Sequence, residues 1–513
     1  MQPTPDVRSG GIVNVGGIPV NLFTGTASPT ISIYELPSRS LSVPVSLVYT
    51  AGNGVQVTSV ASEVGTGWAL NAGGSVTCEV KGRPDELDQE DHPKGWLDAF
   101  YSRLSYQANG WYMEQAQRKV CEGRDTERDI YHVSAPGLQA DFVINGPYGG
   151  GVMPQFDVKV LNDPTLSVVP RYHPCNGGYC YDIYSFTITN AQGTVYFFDT
   201  RQQTRVETET KITSTGASSS KDDYTYYSQW HLTSMTNPQA DQIYFGYQMV
   251  SQASAATYKS AAHVTLAYQF CDAWEQYCDP FTATANSRFD NRYETTTTVT
   301  QLYPYRISII YSQAGIMAFT RSQVARRDAP GEKILNKITV RDHEGNLISG
   351  HSFTYGYFGS SGATSPDDVR LRLDKVTHQT GGCRATSVRL QYWESGSVSR
   401  TTAERDYWGY FNSNPSGELL PFVESRYASG NRAAGPLSRS KNCLLTQIQQ
   451  STGAYTELVY GSQKDNLGTA VGGVRIERIR VHNGIDTALD QIIDLSYTVF
   501  DPANPNTANS EVV

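Results

Sequence analysis

Leu41-Ser42-Val43-Pro44-Val45-Ser46-Leu47-Val48-Tyr49 sets Leu41, Val43, Val45, Leu47 and Tyr49 against mostly small or polar neighbours. Apolar positions at every second residue are the period of a half-buried strand; a helix would repeat them every three to four residues. Pro44 removes a ladder donor and so points to an edge or a bulge. Upstream, Ile31-Ser32-Ile33-Tyr34 runs into the turn Pro37-Ser38-Arg39-Ser40, and downstream Asn53-Gly54 is a hairpin signal before Val55-Gln56-Val57.

Beyond residue 128 the same texture recurs as a loose repeat. Thr189-Asn190-Ala191-Gln192-Gly193 leads into Val195-Tyr196-Phe197-Phe198, and Asn237-Pro238-Gln239-Ala240-Asp241 into Ile243-Tyr244-Phe245-Gly246-Tyr247. Asp342-His343-Glu344-Gly345-Asn346 precedes Phe353-Thr354-Tyr355, and Ser451-Thr452-Gly453 precedes Tyr455-Thr456-Glu457-Leu458-Val459-Tyr460. Each unit reads as a hairpin with an aromatic second strand. A hairpin cannot bury its face alone, so successive units are expected to pair into one extended sheet. Ser214 to Lys221 and Tyr293 to Thr300, rich in Ser and Thr, read as exposed loops between units.

Composition agrees. The chain has 513 residues, of which 39% are hydrophobic, 11% aromatic and 18% charged, with 33 tyrosines. Charge is below the usual share of about 25%, and aromatic enrichment favours strands. That apolar content buries a core and excludes general disorder. With 41 Lys+Arg against 50 Asp+Glu, the net charge is −9; an acidic chain without a basic run argues against nucleic acid and anionic lipid as partners. No apolar stretch approaches the ~18 residues of a membrane-spanning helix. Met1-Gln2-Pro3-Thr4-Pro5 lacks the basic and apolar regions of a signal peptide, which leaves open a leader already removed or another export route.

One stretch differs. Pro84-Asp85-Glu86-Leu87-Asp88-Gln89-Glu90-Asp91-His92 reads as a solvated acidic loop, without the Asp-x-Asp-x-Asp-Gly order of a calcium loop. Trp96, Leu97, Phe100 and Leu104 follow at helical spacing, so one or two short helices are expected between 94 and 118. The fold expected is all-β: irregular hairpin-repeat sheets, as a sandwich, a curled sheet or a shell, with that short helical insertion. The expected divisions are an N-terminal β segment at 1–80, the acidic and helical insertion at 81–130, the hairpin-repeat region at 131–365, and a C-terminal β region at 366–513.

The eight cysteines include two close pairs, Cys175 with Cys180 and Cys271 with Cys278. Asn176-Gly177-Gly178 lets the chain reverse between the first pair, and the spacings fit zinc poorly, so both pairs are candidate disulfides. Disulfides imply an oxidising compartment. Cys78, Cys121, Cys383 and Cys443 cannot be paired from sequence.

Val64-Gly65-Thr66-Gly67-Trp68-Ala69-Leu70-Asn71-Ala72-Gly73-Gly74 is glycine-rich, but no Lys-Ser/Thr follows, so it does not read as a phosphate loop. Glycines that admit close backbone approach around a large buried Trp68 are the better reading.

This block, with Ala61-Ser62-Glu63 before it, resembles the glycine–tryptophan signature in the N-terminal region of large secreted bacterial proteins of the Rhs/YD-repeat superfamily, and is similar to the start of toxin-complex B components. Gly17-Ile18-Pro19-Val20-Asn21-Leu22-Phe23-Thr24-Gly25 looks like the opening of that region. Asp406-Tyr407-Trp408-Gly409-Tyr410-Phe411-Asn412 resembles a second block, and Thr452 to Glu457 followed by Gly472-Gly473-Val474-Arg475-Ile476 a third. The resemblance marks Gly65, Gly67, Trp68, Asn71, Gly73, Gly74, Asp406, Trp408 and Gly409 as structural signature positions. It implies a secreted, extracellular or cell-surface location and a structural scaffold that caps, plugs or anchors a β shell around a polymorphic-toxin cargo. The partners implied are the downstream part of the same longer polypeptide or a shell or toxin partner, and secretion or delivery machinery. The run of strict YD repeats and the toxin domain of that family are absent, so the chain reads as a leading segment or a shortened relative.

No Gly-x-Ser-x-Gly elbow, His-Glu-x-x-His or P-loop occurs, and the nine histidines stand singly. The expectation is therefore a non-enzymatic chain without catalytic residues, cofactor or metal. Asp406 beside Tyr407 and Trp408 is the one sugar-site candidate, because aromatic faces stack on sugar rings; the competing reading is a buried turn whose Asp accepts backbone N–H bonds. A surface adhesin or glycan-binding module is thus the alternative function.

Overall fold

A computed structural model describes residues 12–15, 17–86, 127–148, 155–174, 181–213, 218–249, 256–268, 290–380, 385–396, 398–414, 431–465 and 468–497. The fold is all-β and antiparallel: two three-stranded sheets formed by residues 12–71 lie beside one extended sheet built from residues 75–494. Among the described residues the only helical turns are Leu437–Ser440, Pro366–Asp368 and Thr487–Leu489. The helices expected at 94–118 lie outside the described residues.

Strand Ser42–Tyr49 buries Val43, Val45, Leu47 and Tyr49 and turns the alternate positions outward. It pairs with Thr30–Pro37 along its length, but with Trp68–Asn71 only from Ser46 to Tyr49. Pro44 therefore stands where one edge is open and its missing N–H breaks no ladder.

The extended sheet forks. Val195–Thr213 and Ser218–Thr236 form a long ribbon. One side of Val195–Thr213 carries Tyr181–Thr189 and then Asp290–Tyr303. Ser218–Thr236 pairs through Gln229–His231 with Ser75–Thr77, and through Ser234–Thr236 with Gln242–Tyr244. From Tyr305 to Asp494 the sheet continues as a meander in which each strand pairs with its predecessor. The order does not close: no ladder joins Gln155–Val160 to Ser167–Pro174 among the described residues, and Gln491–Asp494 pairs with Ala470–His482 alone.

Two loop expectations fail. Residues 218–221 and 293–300 are strand, not loop. Every residue from Thr295 to Thr300 is β-branched, which suits a pleated strand. Strand 290–303 also has a ladder on each side, to 203–213 and to 256–268, which gives its backbone groups partners. Asp85, expected in a solvated loop, is buried: its N–H donates to Asp129 Oδ2 (2.9 Å), and Asp129 N–H donates back to Asp85 Oδ2 (3.1 Å). Residues 87–92 lie outside the described residues.

The four repeat units are hairpins, and they share one loop. The first loop residue donates its N–H to the carbonyl four residues on: Asn190 to Thr194, Asn237 to Asp241, Asp342 to Asn346 and Gln450 to Ala454. The fourth residue closes back on the first and takes a positive φ, at Gly193, Ala240, Gly345 and Gly453. Asn and Asp at the first position cap the loop from the side chain, as when Asn190 Oδ1 accepts from Gln192 N–H (3.1 Å) and Thr194 N–H (2.9 Å). One hydrophobic core draws residues from Ile18 to Leu495, with Trp230 perpendicular to Phe186 at 5.0 Å within it.

Candidate functional site

The sequence blocks quoted above converge in space. Trp68 is 2% exposed; its Nε1 donates to Tyr392 Oη (2.9 Å), which donates to Leu373 O (2.7 Å). Its ring lies 5.2 Å from that of Tyr49, whose hydroxyl accepts Leu445 N–H (3.0 Å). Thr66 donates both N–H and Oγ1–H to Leu371 O, each at 2.8 Å. The glycine–tryptophan turn is thereby fastened to three strands of the meander. Gly65 and Gly67 have positive φ beside Leu373 and Tyr49, Asn71 ends its strand exposed, and Gly74 O accepts Leu232 N–H (2.9 Å). Gly73 has a positive φ beside the Tyr247 hydroxyl.

Asp406 is fully buried. Its Oδ1 accepts the N–H groups of Trp408 and Tyr410, both at 2.9 Å, so the carboxylate organises a turn. Burial raises its pKa above the ordinary carboxylate value, and the backbone N–H groups pull against that shift. The turn presents Trp408 O to Gln56 Nε2 (2.9 Å) and Gly409 O to Val57 N–H (2.8 Å), contacts that join residues 352 apart. Gly472 closes the junction: a Cβ there would sit 2.4 Å from the Trp408 ring and 2.7 Å from Asp406 Oδ2, so only glycine fits. Next to it, Val474 N–H donates to Asn53 O and Ile476 N–H to Gly25 O, both at 2.9 Å.

Sequence reasoning missed the arginines that clamp this junction. Arg326 pairs with Asp328 (2.8 Å), both side chains fully buried, and donates to Ser62 O and Ala61 O at 2.9 Å. Arg370 donates to Val57 O (2.6 Å) and Val398 O (2.5 Å); burial lowers its pKa from the ordinary guanidinium value. Arg321 grips Glu63 through two bonds, of 2.7 and 3.0 Å. These arginines belong to no recognisable motif, so no local signal announces them.

Tyr407 and Trp408 remain outside, 58% and 46% exposed, perpendicular to each other at 6.3 Å, with the Arg432 guanidinium over Tyr407. Cys175, Cys180, Cys271 and Cys278 lie outside the described residues. Cys78 and Cys443 are buried free thiols. Among the described residues no group of three His, Cys, Asp or Glu is arranged to hold a metal, and no helix is long and apolar enough to cross a membrane.

No protein-family profile matches the chain. A curated relative, the enolase-phosphatase E1 of Streptomyces avermitilis, is 27% identical over 182 residues, covering 33% of this chain and 72% of that protein. Among solved structures the chain is similar to the toxin-complex assembly TcdB2–TccC3, with a TM-score of 0.40 and 10% identity over 98% of this chain and 23% of the other. It is also similar to a Photorhabdus luminescens Tc holotoxin pore (TM-score 0.34, 12% identity, 95% of this chain and 21% of the other). The N-terminal domain of the Salmonella typhimurium effector SpvB is a further neighbour (TM-score 0.29, 9% identity, 68% of this chain and 99% of the other). The chain thus spans about a quarter of the length of the toxin-complex chain it matches first. At these scores the likenesses carry no argument about what this chain does.

Proposed function

We propose that this chain is a non-catalytic structural segment of a secreted Rhs/YD-repeat-type protein, which caps, plugs or anchors a β shell around a toxin or effector cargo. The observation that supports the reading is the junction itself. Blocks resembling that superfamily fasten distant parts of the chain: 406–412 to residues 56–57 and Gly472, 472–476 to Asn53 and Gly25, and 61–74 to the strands carrying Leu371 and Tyr392. In this reading the partners are the downstream part of the same polypeptide or a separate shell or toxin chain, and the location is extracellular.

The test uses the natural full-length polypeptide with its cargo. Intact protein is expected to shield the cargo from added protease, while deletion of residues 17–74, or Gly472→Val at the junction, exposes it. Cargo cleaved at the same rate in all three contradicts the reading.

A second reading, a glycan-binding surface module, is favoured by the rigidly held and exposed Tyr407–Trp408 pair. A glycan array on which Trp408→Ala binds as the unaltered protein does would remove it.

A further inference from the structure

A cleft of about 250 Å³ lies at the fork of the extended sheet, where Ser75–Thr77 and Gln242–Tyr244 diverge from their common partner strand. Its walls include Gly73, Gly74, Gln229, His231, Tyr247 and Arg306. His231 is the unusual member. It is 8% exposed, its ring stacks on Tyr247 at 4.8 Å, and its Nε2 has no hydrogen-bond partner. Buried polar atoms in native proteins are almost always paired, so an orphan nitrogen on a cleft wall calls for a partner from outside the chain.

The charges of the cleft are already matched. Glu63 is held by Arg321 through two bonds, and Arg306 donates to Glu332 Oε1 (2.7 Å). Burial, with the charge of Arg306 adding to it, lowers the His231 pKa to about 4, so the imidazole is neutral at physiological pH and offers one donor and one acceptor. An ionic ligand would find no free counter-charge here. The remaining polar lining, Asn71, Ser75, Ser134 and Gln229, consists of amides and hydroxyls that both donate and accept. The volume falls just below the ~300 Å³ at which pockets for drug-sized ligands begin, which leaves room for one ring.

We infer that the fork cleft binds a single uncharged sugar ring, one of whose hydroxyls pairs with His231. The site is separate from the Tyr407–Trp408 surface and goes beyond the shell reading, because cargo protection does not depend on it.

Saturation-transfer NMR and calorimetry on the whole chain would use glucose, galactose, mannose and N-acetylglucosamine as probes, with glucuronate and glycerol as controls. At least one neutral sugar is expected to bind saturably and more tightly than either control. His231→Phe keeps the stacked ring but removes both nitrogens, and Gln229→Ala shortens one wall; each should weaken binding at least fivefold. If His231→Phe fails to fold, Gln229→Ala decides. The inference is overturned if no neutral sugar binds, if glucuronate or glycerol binds as well, or if the cleft variants bind normally.

Discussion

Trp68 shows how one residue carries the junction. Its ring is enclosed and its indole N–H is satisfied by Tyr392, so Trp68→Ala removes packing and also strips the Tyr392 hydroxyl of its donor. A loss of about 3–5 kcal/mol is expected, read as a lowered melting temperature; an unchanged one would contradict the burial. Acid should act through His351. It is 5% exposed, stacked parallel on His378 at 4.4 Å, and burial, with the charge of His378 adding to it, lowers its pKa to about 4. Above about pH 6.5 both folded and unfolded chains hold it neutral. As pH falls from there towards 4, only the unfolded chain takes the proton, so stability drops by up to about 3 kcal/mol. His231, lowered to the same value, contributes an equal share over the same window, so His351→Phe should remove about half of the slope in denaturant titrations, and an unchanged slope would count against it. The thiols of Cys78 and Cys443 are pushed up by burial, Cys443 to about 12, so both should resist iodoacetamide at pH 8 until the chain is denatured. At this scale legibility was uneven. A tryptophan set among glycines announces a close-packed site, whereas Arg326 and Arg370 become clamps only because distant carbonyls of residues 57–62 come to them.

Elements were read mainly through their turns. The shared five-residue loop has a local chemical signal, Asn or Asp first in three copies and Gly fourth in three, and for that reason its hairpins could be found in the sequence. Long-range pairing has no such signal, which is why the threonine-rich 293–300 segment read as a loop until its two neighbouring strands were in place. The loop also makes a paired prediction. Gly345 has φ +90 with nothing within 4 Å of its missing Cβ, so Gly345→Ala tests backbone strain alone and should cost about 1 kcal/mol. Ala240 holds the equivalent place with φ 59, and Ala240→Gly should be neutral to slightly stabilising, because relief of strain is offset by the freer unfolded chain. Chemical denaturation of both variants measures the pair; a Gly345→Ala protein as stable as the parent would show that the loop tolerates another conformation.

For the whole molecule, period-two patterning was enough to read the all-β class, because each strand hides one face locally. The fork at Ser218–Thr236 was not readable, since the contact of Ser75 with His231 leaves no trace in either stretch. The bonds across the junction predict that residues 17–74 and the extended sheet unfold as one cooperative unit. Native-state hydrogen exchange tests it most directly. The N–H groups of Val57, Thr66, Val474 and Ile476, which bond across the junction, should exchange with the same free energy as core amides such as Ile338 and Leu373. If the junction amides instead open at a much lower free energy while the meander from Tyr305 to Asp494 stays protected, the N-terminal layer is only loosely apposed and does not fold as part of the sheet.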